Sequence, residues 1–146
     1  MRLRRHFTAL LLGIGLAGLT VSQAAGGGET YKARLTALPA DARTRPSLAG
    51  IATVTATLSG SKLSLTGSFD GLLSPATKAE LHSAVAAGVR GPVIGDLTIA
   101  KATSGSISGS ADLNPQQIEN LHKGGLYVQI YSEKAPEGVI WGWLIQ

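Results

Sequence analysis

The segment Gly124 to Gln146, GGLYVQIYSEKAPEGVIWGWLIQ, constrains this chain more than any other. Leu126, Val128 and Ile130 alternate with Tyr127, Gln129 and Tyr131, the period of two that a strand with unlike faces requires. Ser132 to Gly138, punctuated by Pro136 and Gly138, reads as a turn. In the strand that follows, Ile140, Gly142 and Leu144 alternate with Trp141, Trp143 and Ile145. Antiparallel pairing across the turn sets Tyr127 opposite Trp143 and Gln129 opposite Trp141. One face of this hairpin is then aliphatic and the other aromatic. A sheet packed on one side uses the aliphatic face, so Tyr127, Tyr131, Trp141 and Trp143 must be covered by something else. Each tryptophan buries roughly 150–250 Å² when covered, and the set exceeds the few hundred Å² that soluble monomers leave bare. Either another part of the chain covers them, such as a second sheet, the loop from Ala40 to Ser47 or the N-terminal segment, or a partner does. As partner-binding residues these four are the types that carry most interface energy, and a protein, a cell-envelope polymer or a second copy of the chain would suit them.

The remaining sequence reads as more strands of the same kind. Tyr31 to Leu38 forms a first strand stopped by Pro39, and Ala40 to Ser47, with Asp41, Arg43, Arg45 and Pro46, is an exposed loop. Ile51 to Ser59, the turn Gly60-Ser61 and Lys62 to Asp70 form a hairpin, with Gly first in a two-residue loop as a type II′ turn prefers. Its register places Leu58 opposite Leu63, Ala56 opposite Leu65, Val54 opposite Gly67 and Ala52 opposite Phe69. Small faces large at three of these pairs, the pattern of an inward face. Thr53, Thr55, Thr57, Ser64, Thr66 and Ser68 form the wet face. Lys78 to His82 is a short strand, Ser83 to Gly91 a loop, and two half-buried strands follow around Val93 to Ile99 and Ser106 to Leu113. The single helix is well signalled: Asn114 as N-cap, Pro115 as first helical residue, Gln117 as capping-box partner and Gly124 as terminator. Seven or eight short strands with one short helix predict an all-β fold, an antiparallel Greek-key-like β-sandwich or flattened barrel.

Three stretches together resemble the chordin-type (CHRD) domain. LYVQIYSEKAPEGVIWGWL is similar to its closing strand, Pro-x-Gly turn and Ile-x-Gly-x-Leu strand. LHSAVAAGVRGPVIGDL is similar to its central His-containing segment and Gly-Pro strand, and LNPQQIENLHKGGLYV to its Leu-Thr-Pro-x-Gln helix. The resemblance runs from Tyr31 nearly to the C-terminus and implies a superoxide-dismutase-like or immunoglobulin-like β-fold in residues 31–146. It also implies a place for metal. Where such domains tend to show a His-x-His pair, similar to the metal-binding strand of copper-zinc superoxide dismutases, this chain has Glu80-Leu81-His82, and Tyr131 matches the histidine usual in the last hairpin. Residues two apart on a strand share a face, so Glu80 and His82 are the metal candidates, but one imidazole, one carboxylate and one phenol make a poor zinc or copper set. No cofactor and no metal is therefore expected.

The N-terminus carries an address. Arg2, Arg4 and Arg5 precede an apolar run from Phe7 to Val21, and Ser22-Gln23-Ala24 offers small residues at the two positions a signal peptidase inspects. Residues 1–24 therefore read as a secretory signal and residues 25–30 as a flexible lead-in containing Gly26-Gly27-Gly28. Arg4-Arg5-His6-Phe7 also resembles a twin-arginine core, the alternative export route. The apolar run is short and Gly-rich for a span, so no membrane association is expected after cleavage. With no cysteine there is neither a lipid anchor of lipoprotein type nor a disulfide framework. The net charge of +4 shrinks without the three leader arginines, because ten basic residues then face nine acidic ones. No basic stripe remains, which excludes nucleic acid as a partner.

A hydrolase needs a base beside its nucleophile and a group to orient it, and only His82 and His122 could serve, neither near a Gly-x-Ser-x-Gly elbow. Gly-rich pieces such as GSISGS keep the strand period and are no phosphate loop. The sequence thus points to an exported, periplasmic or secreted, non-enzymatic binding or scaffold module. A periplasmic copper- or zinc-binding protein with a degenerate His-x-His site is the alternative.

Overall fold

The computed structural model describes residues 28–146, so the leader at 1–24 and most of the glycine lead-in lie outside the described residues. Eight strands follow: β1 (Glu29–Ala37), β2 (Ile51–Ser59), β3 (Lys62–Asp70), β4 (Ala76–Ser83), β5 (Val93–Ile99), β6 (Gly105–Asp112), β7 (Leu126–Ser132) and β8 (Ala135–Trp143). One α-helix, α1 (Pro115–His122), joins β6 to β7, and a single 3-10 turn, Arg45–Ser47, lies in the β1–β2 loop. All neighbouring strands are antiparallel, and the order β1-β2-β3-β6-β5-β4-β7-β8 closes on itself as a barrel. The hairpin-linked β4, β5 and β6 are flanked by β7 beside β4 and β3 beside β6, the Greek-key order. Glu29 and Thr30, assigned to the lead-in from sequence, are strand residues of β1.

Alternation builds the barrel. The β2–β3 hairpin has the register read from sequence, Leu58 with Leu63, Ala56 with Leu65, Val54 with Gly67 and Ala52 with Phe69. Gly60 has φ +63° and no non-glycine residue among those described has positive φ, so Ser61 is conventional and the turn fits type II′ rather than I′. Leu35, Leu63, Leu65, Leu81, Ile107, Val128, Ile130, Ile140 and Leu144 fill the interior. At one end α1 caps this core with Leu121, fully buried, and with Ile118 packed against it. Its capping box is complete: Gln117 N–H donates to Asn114 Oδ1 at 2.8 Å, and Asn114 N–H donates to Gln117 Oε1 at 2.9 Å.

Closure depends on two strands that change partners. β1 pairs with β2 through Leu35 and then with β8 through Thr36 and Ala37, while Lys32 and Ile145 exchange backbone hydrogen bonds of 2.8 and 2.9 Å. β5 pairs with β4 over most of its length and meets β6 only through Thr98 and Ile99. At the first seam Gly142 lies so close to β1 that an added Cβ would run into the Arg34 carbonyl.

The last turn is tighter than its sequence predicts. Ser132 pairs with Ala135, so Glu133 and Lys134 make the turn, and Pro136 and Gly138 belong to β8 instead. They fit because the ladder steps from Ile130–Ile140 to Ser132–Ala135, leaving Pro136, Glu137, Gly138 and Val139 bulged against Tyr131 alone. Within a bulge proline needs no ladder donor, and Gly138 can take φ +118°. Among the described residues no helix is long and apolar enough to cross a membrane.

Seam packing can be tested by urea unfolding. Gly142→Ala should cost about 1–3 kcal/mol through overpacking. Gly95→Ala, whose Cβ would meet only Ala111 Cβ at 3.6 Å, should cost less than about 1 kcal/mol. Equal losses would contradict close approach at the β1–β8 seam.

Candidate functional site

On the outer face of β4, β7 and β8 the side chains not used by the core come together. Alternation with Ala79, Leu81, Val128 and Ile130 turns Lys78, Glu80, His82, Tyr127, Gln129 and Tyr131 outward. Register then sets His82 beside Tyr127, Glu80 beside Gln129 and Lys78 beside Tyr131. β8 adds Trp143 beside Tyr127 and Trp141 beside Gln129, the pairing expected from sequence. Tyr127 and Trp143 have ring centroids 5.3 Å apart, Tyr127 and Trp141 meet edge to face at 5.8 Å, and the two indoles are 4.6 Å apart. His82 stacks on Tyr127 at 4.6 Å, nearly parallel.

This face is outside the barrel but only partly open. Tyr127 is 1% and Tyr131 8% exposed, so both proposed contact tyrosines lie beneath other residues, whereas Trp141 and Trp143 keep part of their surface in solvent. The cover comes from the β4–β5 loop, residues 84–92. Its Gly91 carbonyl accepts from His82 Nδ1 at 3.0 Å and from the Tyr127 hydroxyl at 3.2 Å, and Gly91 N–H donates to that same hydroxyl at 3.2 Å. Arg90 then lies over Trp141 with its guanidinium 4.7 Å from the ring. Neither Arg90 nor Gly91 is identifiable as part of the site from sequence; Gly91-Pro92 marks the end of a loop but not where the loop folds back.

Two buried polar atoms on this face lack partners among the described residues, Gln129 Oε1 and Trp143 Nε1. Gln129 is 2% exposed and spends its amide nitrogen on the Glu137 carbonyl at 3.2 Å. Leaving such a buried group unmet costs about 1–3 kcal/mol. An acceptor and a donor are thus both unsatisfied on adjacent strands.

The metal candidates form a different arrangement. Because Gly91 offers His82 only a carbonyl, Nδ1 carries the proton of that bond, and Nε2 faces Tyr131 and Glu80. Nε2 is 3.4 Å from the Tyr131 hydroxyl and 3.5 Å from Glu80 Oε2. Lys78 already supplies the cation, with Nζ 2.7 Å from Glu80 Oε1 and 4.3 Å from the centre of the Tyr131 ring. Burial pushes the Glu80 carboxyl up, but hydrogen bonds from Lys78 and Tyr131 and the nearby His82 outweigh it and hold Glu80 below its ordinary range. Burial, reinforced by Glu80, pushes the Tyr131 phenol up and keeps it protonated. A protonated phenol and a carboxylate bound by lysine, with one imidazole nitrogen, do not fit copper or zinc. Among the described residues no group of three or more His, Cys, Asp and Glu side chains converges either. His122 sits apart from this face, paired to Glu29 Oε2 at 2.8 Å beside Tyr31.

This cluster fixes how stability responds to pH. Tyr131 has a folded value above the unfolded one near 10, so its contribution is complete below about pH 10 and is lost as pH rises through the folded value. Glu80 has a lowered folded value, so its contribution is complete above about pH 4.3 and is lost as pH falls through the folded value. Urea stability of Tyr131→Phe should therefore fall less steeply in alkali, and that of Glu80→Gln less steeply in acid. Unchanged limbs in both variants would contradict the cluster. Zinc should bind weakly; stoichiometric zinc that Glu80→Gln removes would show a metal in place of the Lys78 ammonium.

No curated protein and no solved structure matches the chain. The family model for the CHRD domain matches residues 31–144, which runs from the first core residue of β1 to Leu144 just past β8 and takes in every outer-face residue described above. A match over that span, with the Glu80-Leu81-His82 strand and the aromatic closing hairpin inside it, establishes that the chain belongs to the CHRD domain family.

Proposed function

We propose that this CHRD domain is an exported, periplasmic or secreted, non-enzymatic binding module whose partner contacts the outer face of β8. The observation that carries the proposal is that Trp141 and Trp143 stand outside a complete core and keep solvent-exposed surface. Export is supported by the arginine-led apolar leader. Absence of catalysis is supported by what the histidines do: His82 is committed to Gly91, Tyr131 and Glu80, and His122 to Glu29.

The test is association of the mature domain and its Trp143→Ser variant, with circular dichroism and urea unfolding in parallel. A hot-spot tryptophan costs about 2 kcal/mol or more on truncation, so capture of a protein or envelope partner, or self-association, should weaken more than about tenfold while the fold persists. Loss of folded protein would make Trp143 a core residue and refute the surface reading.

A further inference from the structure

Beside the tryptophans lies a groove of about 640 Å³ assembled from three distant parts of the chain: the β1–β2 loop, Arg90 of the β4–β5 loop, and the turn and bulge that open β8. Its size is in the range of ligand-binding clefts. Three cations face two carboxylates in it, an excess of positive charge. Arg43, Arg90 and Lys134 all line it, and none of the three is in an ion pair among the described residues. Of its two acids, Asp41 is turned to its own loop, accepting from the N–H groups of Arg43 and Thr44 at 2.8 Å each, which leaves Glu137 as the free carboxylate.

Each cation stands on an ordered base. Arg43 belongs to the turn that Asp41 holds. Arg90 rests on Trp141, anchored by the neighbouring Gly91 peptide. Lys134 follows from Glu133, whose N–H donates to the Pro75 carbonyl at 3.1 Å, and its own N–H donates to Ser74 Oγ at 2.9 Å. Between the cations Leu38, Pro39, Leu48 and Pro136 supply apolar wall. Preorganised positive charge reduces the ordering cost of binding and selects for a carboxylate partner.

We infer that this groove takes an acidic peptide segment of a partner protein, its carboxylates between Arg43, Arg90 and Lys134 and its apolar side chains against the leucines and prolines. The inference deepens the proposed binding role and rests on it, because Arg90 makes the groove and the tryptophans one continuous surface. Cations interleaved with apolar residues favour a peptide of mixed side chains over a uniformly hydroxylated acidic polysaccharide.

The experiment titrates the mature domain, by tryptophan fluorescence, with a short blocked peptide built from Glu, Ala and Leu and with its counterpart in which every Glu is Gln. A carboxylate that engages Arg90 alters the surroundings of Trp141, so the acidic peptide should change the emission, and added salt should reverse the change. Arg43→Glu and Lys134→Glu, both at the groove rim and checked by circular dichroism, should each weaken binding by roughly three- to tenfold. Equal binding of the Gln peptide, or unchanged binding by both variants, would overturn the inference. Binding of alginate without binding of the acidic peptide would overturn the peptide assignment. Partner capture that Trp143→Ser abolishes, while the acidic peptide fails to bind, would refute the groove inference and leave the tryptophan surface standing.

Discussion

An eight-stranded barrel has an interior just wide enough for side chains to fill, and the rest of this molecule depends on meeting that constraint. It does so by setting small residues against large ones, Ala56 against Leu65, Gly67 against Val54 and Ile107, and Gly142 against Val128. Glycine is also demanded at Gly142, where β8 presses against the Arg34 backbone and the circuit closes. With the interior filled this way, the core has no need of the aromatic face of β7 and β8.

What the core leaves over becomes the outer-face cluster, and a single residue, Gly91, organises it. Gly91 meets His82 and Tyr127 together, so the orientation of the imidazole, the stack of the two rings and the position of Arg90 over Trp141 follow from one loop contact. Lys78 neutralises Glu80 from the same side of β4. The bulge around Gly138 has a related consequence. By lifting Pro136 and Glu137 out of the β7 ladder it builds one wall of the groove, and the Gln129 amide holds that bulge by its bond to the Glu137 carbonyl.

Much of this was legible in the sequence, and the failures have physical reasons. Period-two alternation and the Gly60-Ser61 turn were enough for the β2–β3 register, and the Tyr127–Trp143 and Gln129–Trp141 pairs followed from the final hairpin. The Asn114-Pro115-Gln117 signature marked a helix whose cap is as read. Pro136 and Gly138 misled because the same residues that make turns also make bulges, and only the ladder distinguishes the two. Burial of Tyr127 was hidden because it depends on where residues 84–92 fold back, a long-range contact that leaves no mark on local periodicity. Arg90 was hidden for the same reason, and the groove with it.

The claim that the indoles belong to the surface of a complete barrel is tested most directly by acrylamide quenching of tryptophan emission in the folded mature domain. Trp141 and Trp143 are the protein's two tryptophans, so the signal reports on this face alone. The account predicts substantial quenching with the native far-ultraviolet spectrum intact. Emission that resists acrylamide until urea unfolds the domain would place both indoles in the core and contradict it.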